Sequence, residues 1–172
     1  MVMLMSKAQP NTQTSTQPKT QPTVQPNVQP SAHEPIRVFI VDDHPVVRLG
    51  LRQLLTQDPD IEVCGEAETV CEAIDKLDKL RPDVAIVDLA LPDANGIDLI
   101  KHIKSHWIGV KIIVVSTYPE TTYGQLAIQA GADVYINKHE AMDQILQAIH
   151  AVYAAKPNDA NGSGEKESHW FG

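Results

Sequence analysis

The sequence predicts a doubly wound α/β fold: a five-stranded parallel sheet of order 2-1-3-4-5 with helices on both faces. Three observations carry this. Five short apolar runs alternate strictly with five stretches of helical periodicity, which implies parallel strands joined by right-handed helical crossovers. Three of the runs are continuously apolar, as suits strands covered on both faces. Chain breakers fall between the segments, at Pro45, Pro59, Pro82, Pro92, Gly109, Pro119 and Gly131.

The elements follow in order. The first run is Arg37-Val38-Phe39-Ile40-Val41, and the stripe Val46, Val47, Leu51, Leu54 and Leu55 predicts the first helix. The second run is weaker, resting on Ile61, Val63 and Cys64, before a stripe at Val70, Ile74, Leu77 and Leu80. The third, Val84-Ala85-Ile86-Val87, precedes Ile97, Ile100 and Ile103 at helical spacing. The fourth, Ile112-Ile113-Val114-Val115, precedes a shorter stripe of Leu126, Ala127 and Ala130. The fifth, Val134-Tyr135-Ile136, leads into Met142, Ile145, Leu146, Ile149 and Val152.

This folded part spans residues 36–155. Before it, residues 1–35 hold six of the twelve prolines, and Gln recurs at every fourth position from Gln9 to Gln29. Such a Gln/Pro/Thr-rich arm lacks the apolar content to bury anything and reads as disordered. It is either a tether or partner-docking segment or a neutral repeat expansion, and Met3 or Met5 can serve as the start as well as Met1. Residues 156–172 read as a disordered polar tail, with His169-Trp170-Phe171 as its odd aromatic end.

The 172 residues carry 14 basic and 22 acidic side chains, a net charge of −8. Residues 36–155 hold 10 of the basic and 18 of the acidic groups, so the whole excess lies there. That argues against direct nucleic-acid binding, which normally uses a basic face. Apolar residues make up 42% and aromatics only 5%, so the core must be aliphatic. No apolar run approaches the roughly 18–20 residues needed to span a bilayer. Two cysteines, Cys64 and Cys71, cannot build a disulfide framework or a four-ligand zinc site and read as small apolar packers. A cytoplasmic setting is the simple inference.

Ligands of such a sheet bind beyond the carboxyl ends of its strands. There the first run ends in Asp42-Asp43, the third in Asp88 and the fourth in Ser116, while Lys138 follows shortly after the fifth. Carboxylates converging in one cleft repel one another and favour a hard divalent cation, Mg2+ or Mn2+. Carboxylate, metal, ammonium and hydroxyl together suit phosphoryl transfer. His44 beside the acidic pair reads as a rim residue, because an all-oxygen site has little use for imidazole. His102 and His106 lack further ligands and read as a solvated face.

Val-Asp-Asp-His-Pro at 41–45, Val-Asp-Leu-Ala-Leu-Pro at 87–92, Ser116 after an apolar run, and Gly-Ala-Asp-Val-Tyr-Ile-Asn-Lys at 131–138 resemble response-regulator receiver domains. The fold implied is CheY-like and flavodoxin-like, and the subgroup is similar to the NarL/FixJ type. The resemblance covers residues 36–155. It implies that Asp88 is the phosphoacceptor and that Asp42, Asp43, Asp88 and the backbone carbonyl of Ala90 bind Mg2+. It further implies that Lys138 pairs with the phosphoryl group, that Ser116 hydrogen-bonds it, and that Tyr135 is the aromatic switch partner of Ser116. One departure is His139, where many receivers carry Pro.

By the same resemblance the expected partners are a sensor histidine kinase or histidine phosphotransfer protein and a downstream protein target. The target, or a second copy in a homodimer, is expected on the face of the fourth helix, fifth strand and fifth helix, near Tyr123, Tyr135 and Ile149. The expected function is a single-domain two-component response regulator, with self-phosphorylation and self-dephosphorylation but no outside substrate, and with no membrane contact. The alternative is the receiver part of a NarL/FixJ-type DNA-binding transcription regulator whose helix-turn-helix output domain is missing or on another chain. A phosphatase similar to the haloacid dehalogenases is disfavoured, since Asp42-Asp43-His44 lacks their Asp-x-Asp spacing.

Overall fold

The computed structural model describes residues 34–155. Nearly all of the Gln-Pro arm and the whole polar tail lie outside the described residues, and with them the readings of disorder. The elements are β1 (Ile36–Val41), α1 (Pro45–Leu55), β2 (Ile61–Ala67), α2 (Val70–Leu80), β3 (Val84–Val87), α3 (Gly96–His106), β4 (Lys111–Ser116), α4 (Glu120–Ala130), β5 (Val134–Asn137) and α5 (Ala141–Ala154). The strands form one parallel sheet in the order β2-β1-β3-β4-β5, as their alternation with helices predicts.

Side chains alternate across the sheet and divide the core into two layers. Phe39, Val41, Ala85, Val87, Ile112 and Val114 pack with Ala73, Leu77, Leu99, Ile100, Ile103 and Ala127 of α2, α3 and α4. Val38, Ile40, Val84, Ile86, Ile113 and Val115 pack with Leu51, Leu55, Ile145, Ile149 and Val152 of α1 and α5. Each large aliphatic side chain taken out of water contributes roughly 1.5–3 kcal/mol. The central strands are buried on both faces, which explains their continuous apolar runs.

β2 is an edge strand, and its partial burial accounts for the weak run there. It extends to Ala67, beyond the predicted Cys64. Its register against β1 shifts between Val38 and Phe39, which pair with Val63 and Gly65. Cys64 is left over, and its thiol donates to the Val38 carbonyl at 3.3 Å. Helix ends are capped where the sequence provides groups for it. Thr69 Oγ1 accepts from the Glu72 N–H at 3.1 Å, and Asn95 Oδ1 accepts from the Ile97 N–H at 2.9 Å. Gly131 ends α4 at φ 114°, a left-handed position that suits glycine.

Several predicted core positions face water instead. Val46 is 81% exposed, Leu126 49% and Met142 46%. α1 buries Arg48, Leu51 and Leu55, so Val46, two residues earlier, falls on the opposite side of the helix. Leu126 and Met142 each stand one residue, about 100° of rotation, from buried Ala127 and Ala141. Ile149 is fully buried between α5 and the sheet, as its place in the fifth helical stripe predicts, so its side chain does not belong to the exposed surface of α4, β5 and α5 beside which it is named. Cys64 packs as expected, but Cys71 is exposed.

Candidate functional site

The site is built from residues that extend the sheet ladder past the ends of its strands. The Asp42 N–H donates to the Ala67 carbonyl at 3.1 Å, the Asp88 N–H to the Val41 carbonyl at 2.8 Å, and the Lys138 N–H to the Ser116 carbonyl at 2.9 Å. The backbones of these residues are therefore held by neighbouring strands and not by loop conformation. Asp42 and Asp88 are 2% and 1% exposed.

Lys138 Nζ lies between them, 2.7 Å from Asp42 Oδ2 and 2.6 Å from Asp88 Oδ2. Burial alone would pull the Lys138 ammonium down. Hydrogen bonds to Asp42 and Asp88, reinforced by their charges, outweigh it and hold the ammonium above its ordinary value. The second oxygens are also occupied. Asp42 Oδ1 accepts from the His44 N–H at 2.8 Å, and Asp88 Oδ1 accepts a longer 3.2 Å bond from the Ala90 N–H.

Asp43 differs. Its Oδ1 is withdrawn from solvent and has no hydrogen-bond donor. The exposed His44 ring brings Nδ1 to 2.6 Å from that oxygen, without the directed geometry of a hydrogen bond. Ligand atoms of Asp42, Asp43, His44 and Asp88 all lie within 4.8 Å of one another. Three carboxyl groups against one ammonium leave a formal excess of negative charge, and an anionic oxygen stands buried without a donor. This set fits a hard divalent cation with oxygen ligands.

The structure thus brings Asp42, Asp43, Asp88 and Lys138 together. Ala90 lies two residues beyond Asp88, bridged to Asn95. Ser116 is fully buried at the end of β4, and its Oγ accepts from the Tyr118 N–H at 3.3 Å. The Tyr135 hydroxyl donates to the Tyr118 carbonyl at 2.7 Å. Burial pushes the Tyr135 phenol up, against the opposing effect of a hydrogen bond with Ser116. Serine and tyrosine are thus joined through the β4–α4 turn, and Tyr118 stacks on Tyr123 with ring centroids 4.6 Å apart. His44 sits at the rim, as predicted, with its side chain 60% exposed. His102 and His106 stack on each other at 4.1 Å, away from this cluster.

Sequence reasoning missed Arg48 and Gly96. Arg48 is buried beside the acidic turn. Its signal was spacing: positions 48, 51 and 55 form one helical face. Gly96 lies against the backbone of Asp88, where an added Cβ would stand 2.3 Å from the carbonyl oxygen. Only its place in an Asn-Gly turn marked it in the sequence.

A 2-1-3-4-5 sheet with a partly buried lysine among carboxyl groups at its C-terminal edge defines a receiver of the two-component class. The chain belongs to the response regulator receiver domain family, whose model matches residues 38–150. Among curated relatives it is 39% identical over 121 residues to the DNA-binding transcriptional activator DevR/DosR of Mycobacterium tuberculosis, covering 70% of this chain and 56% of that one. To the nitrate/nitrite response regulator protein NarL of Escherichia coli it is 32% identical over 126 residues, covering 73% and 58%. The chain therefore spans a little over half the length of these relatives. Among solved structures, a LuxR-family response regulator from an Aurantimonas species matches at TM-score 0.68 and 32% identity, over 72% of this chain and 88% of that one. The isolated receiver domain of RcsB from Salmonella enterica, determined with phosphomimetic BeF3, matches at TM-score 0.67 and 31% identity, over 73% and 95%.

Proposed function

We propose that this chain takes a phosphoryl group onto Asp88 from the phosphohistidine of a sensor kinase or phosphotransfer protein and signals through protein contacts, as the receiver of a two-component response regulator in the cytoplasm. The observation that carries the reading is Asp88 itself. It is a buried carboxyl group tied by backbone to β1, paired with Lys138, and grouped with the acidic pair. Asp42, Asp43, Asp88 and the Ala90 carbonyl would hold Mg2+ or Mn2+, which when bound neutralises phosphoryl oxygens and aligns them for in-line attack.

In the transfer, a carboxylate oxygen of Asp88 forms the new O–P bond while the N–P bond of the donor breaks, and the departing imidazole takes up a proton. Lys138 balances negative charge on the phosphoryl oxygens, and Ser116 supplies a hydroxyl to them. The chain turns over no outside substrate, since the acyl phosphate formed is its own. The link from Ser116 through Tyr118 to Tyr135 then biases the face of α4, β5 and α5. Phosphate acts there as a ligand that binds one conformer better and shifts the population toward it. That face is where a target protein or a second copy docks.

Incubation with Mg2+ and acetyl phosphate should add one acid-labile phosphate, measured by intact mass, and Asp88→Asn should abolish it. Equal labelling of the Asn variant would remove Asp88 from its role.

A second reading rests on the relatives. DevR/DosR is a DNA-binding transcriptional activator by name, and RcsB has been captured on promoter DNA. On this reading the described domain is the receiver part of such a regulator, and its switch face controls an output domain elsewhere.

A further inference from the structure

We infer that Arg48 is a positioning residue for the cation site: its buried guanidinium holds the Asp42–Asp43 peptide where the acidic side chains converge. This rests on the reading that the acidic cluster takes a divalent cation. Arg48 is only 8% exposed, on the α1 face that otherwise buries Leu51 and Leu55. A leucine there would continue the stripe without the cost of desolvating a charge. The arginine instead sends Nη1 to the Asp42 carbonyl at 2.6 Å. Its other nitrogens are anchored on β2 and the residue that follows it: Nη2 bonds Glu68 Oε1, and Nε lies 3.4 Å from Glu66 Oε2. Arg52 Nε steadies Glu66 from the next turn, at 2.8 Å.

The backbone of Asp42 is thereby engaged on both sides. Its N–H is held by Ala67 of β2 and its carbonyl by Arg48 of α1. The peptide leading into Asp43 cannot rotate without breaking a buried, charge-assisted hydrogen bond. Asp43 carries the carboxylate oxygen that is buried and lacks a donor. Groups that orient metal ligands in this indirect way typically change metal affinity 10–100-fold when replaced.

Charge and geometry make separable contributions. Lysine keeps the positive charge but has no fork to span the Asp42 carbonyl and two carboxylates at once. Mg2+ affinity of the full chain, measured by calorimetry at a temperature where every variant is folded, tests the inference. Arg48→Lys should bind Mg2+ about 10-fold more weakly than the parent. Glu68→Gln, which retains Arg48 but weakens its anchor, should show a smaller loss in the same direction. Asp133→Asn, a destabilising change outside the cluster, should leave Mg2+ affinity unchanged, which separates positioning from general stability. Parental affinity in Arg48→Lys overturns the role of Arg48 and leaves the cation site standing. If Arg48→Lys fails to fold, parental affinity in Glu68→Gln overturns it instead. A parent chain that binds no Mg2+ sinks the cation site, and the inference with it.

Discussion

Lys138 and Asp133 show two ways in which a partly buried charge is kept. Lys138 is held by two carboxyl groups that themselves need a cation, so it belongs to the site. Asp133 serves the scaffold. It accepts from the Ile112 N–H at 2.8 Å, from Lys104 Nζ at 2.9 Å and from Lys111 Nζ at 3.2 Å. Burial would raise its carboxyl, but these bonds prevail and hold it below the usual carboxylate value. A carboxyl lowered by folding stabilises the fold fully above its unfolded pKa, and that contribution is lost as pH falls through the folded one. Asp133→Asn should therefore lower unfolding stability by about 1.5 kcal/mol near neutrality. In urea titrations, the gap from the parent should close in acid below the usual carboxylate range. A gap that persists undiminished there would show that the charge on Asp133 is not what stabilises the fold.

Among the elements, the start of α3 lies closely against the residues that follow β3. The Gly96 N–H donates to the Leu89 carbonyl at 3.1 Å. A Cβ on Gly96 would stand 2.3 Å from the Asp88 carbonyl oxygen and 2.7 Å from Leu89 Cα. Both obstacles are backbone, so no side chain can swing away. Gly96→Ala should cost about 1–3 kcal/mol and slow labelling of Asp88 by acetyl phosphate, because the strand end must move. An unchanged denaturation midpoint with an unchanged labelling rate would show that the loop absorbs the methyl group. The register shift of β2 and the outward turn of Leu126 on α4 belong to this same scale. Both depend on how an element lies against its neighbours.

For the molecule as a whole, charge bears on whether this domain itself touches DNA. The excess of acidic groups lies within residues 36–155, and affinity for DNA comes largely from cations that neutralise backbone phosphates. The phosphorylated chain should leave promoter DNA unretarded in a gel at both low and high salt. Retardation that weakens as salt rises would overturn the expectation that this domain makes no direct contact with DNA.

Some of this was legible from residue order alone. Strand–helix alternation and the continuous runs of β1, β3 and β4 determined the topology, because parallel strands allow so few connections. Topology in turn placed Asp42, Asp43, Asp88 and Lys138 at one edge, since parallel strands all deliver their C-terminal residues to the same side. Tertiary structure alone decided the orientation of α1, α4 and α5, which put Val46, Leu126 and Met142 in water and Arg48 under the acidic turn. It also decided that Gly96 touches the backbone of Asp88. Periodicity records which residues share a helix face, but the rotation of that face toward the sheet comes from packing against residues distant in the chain.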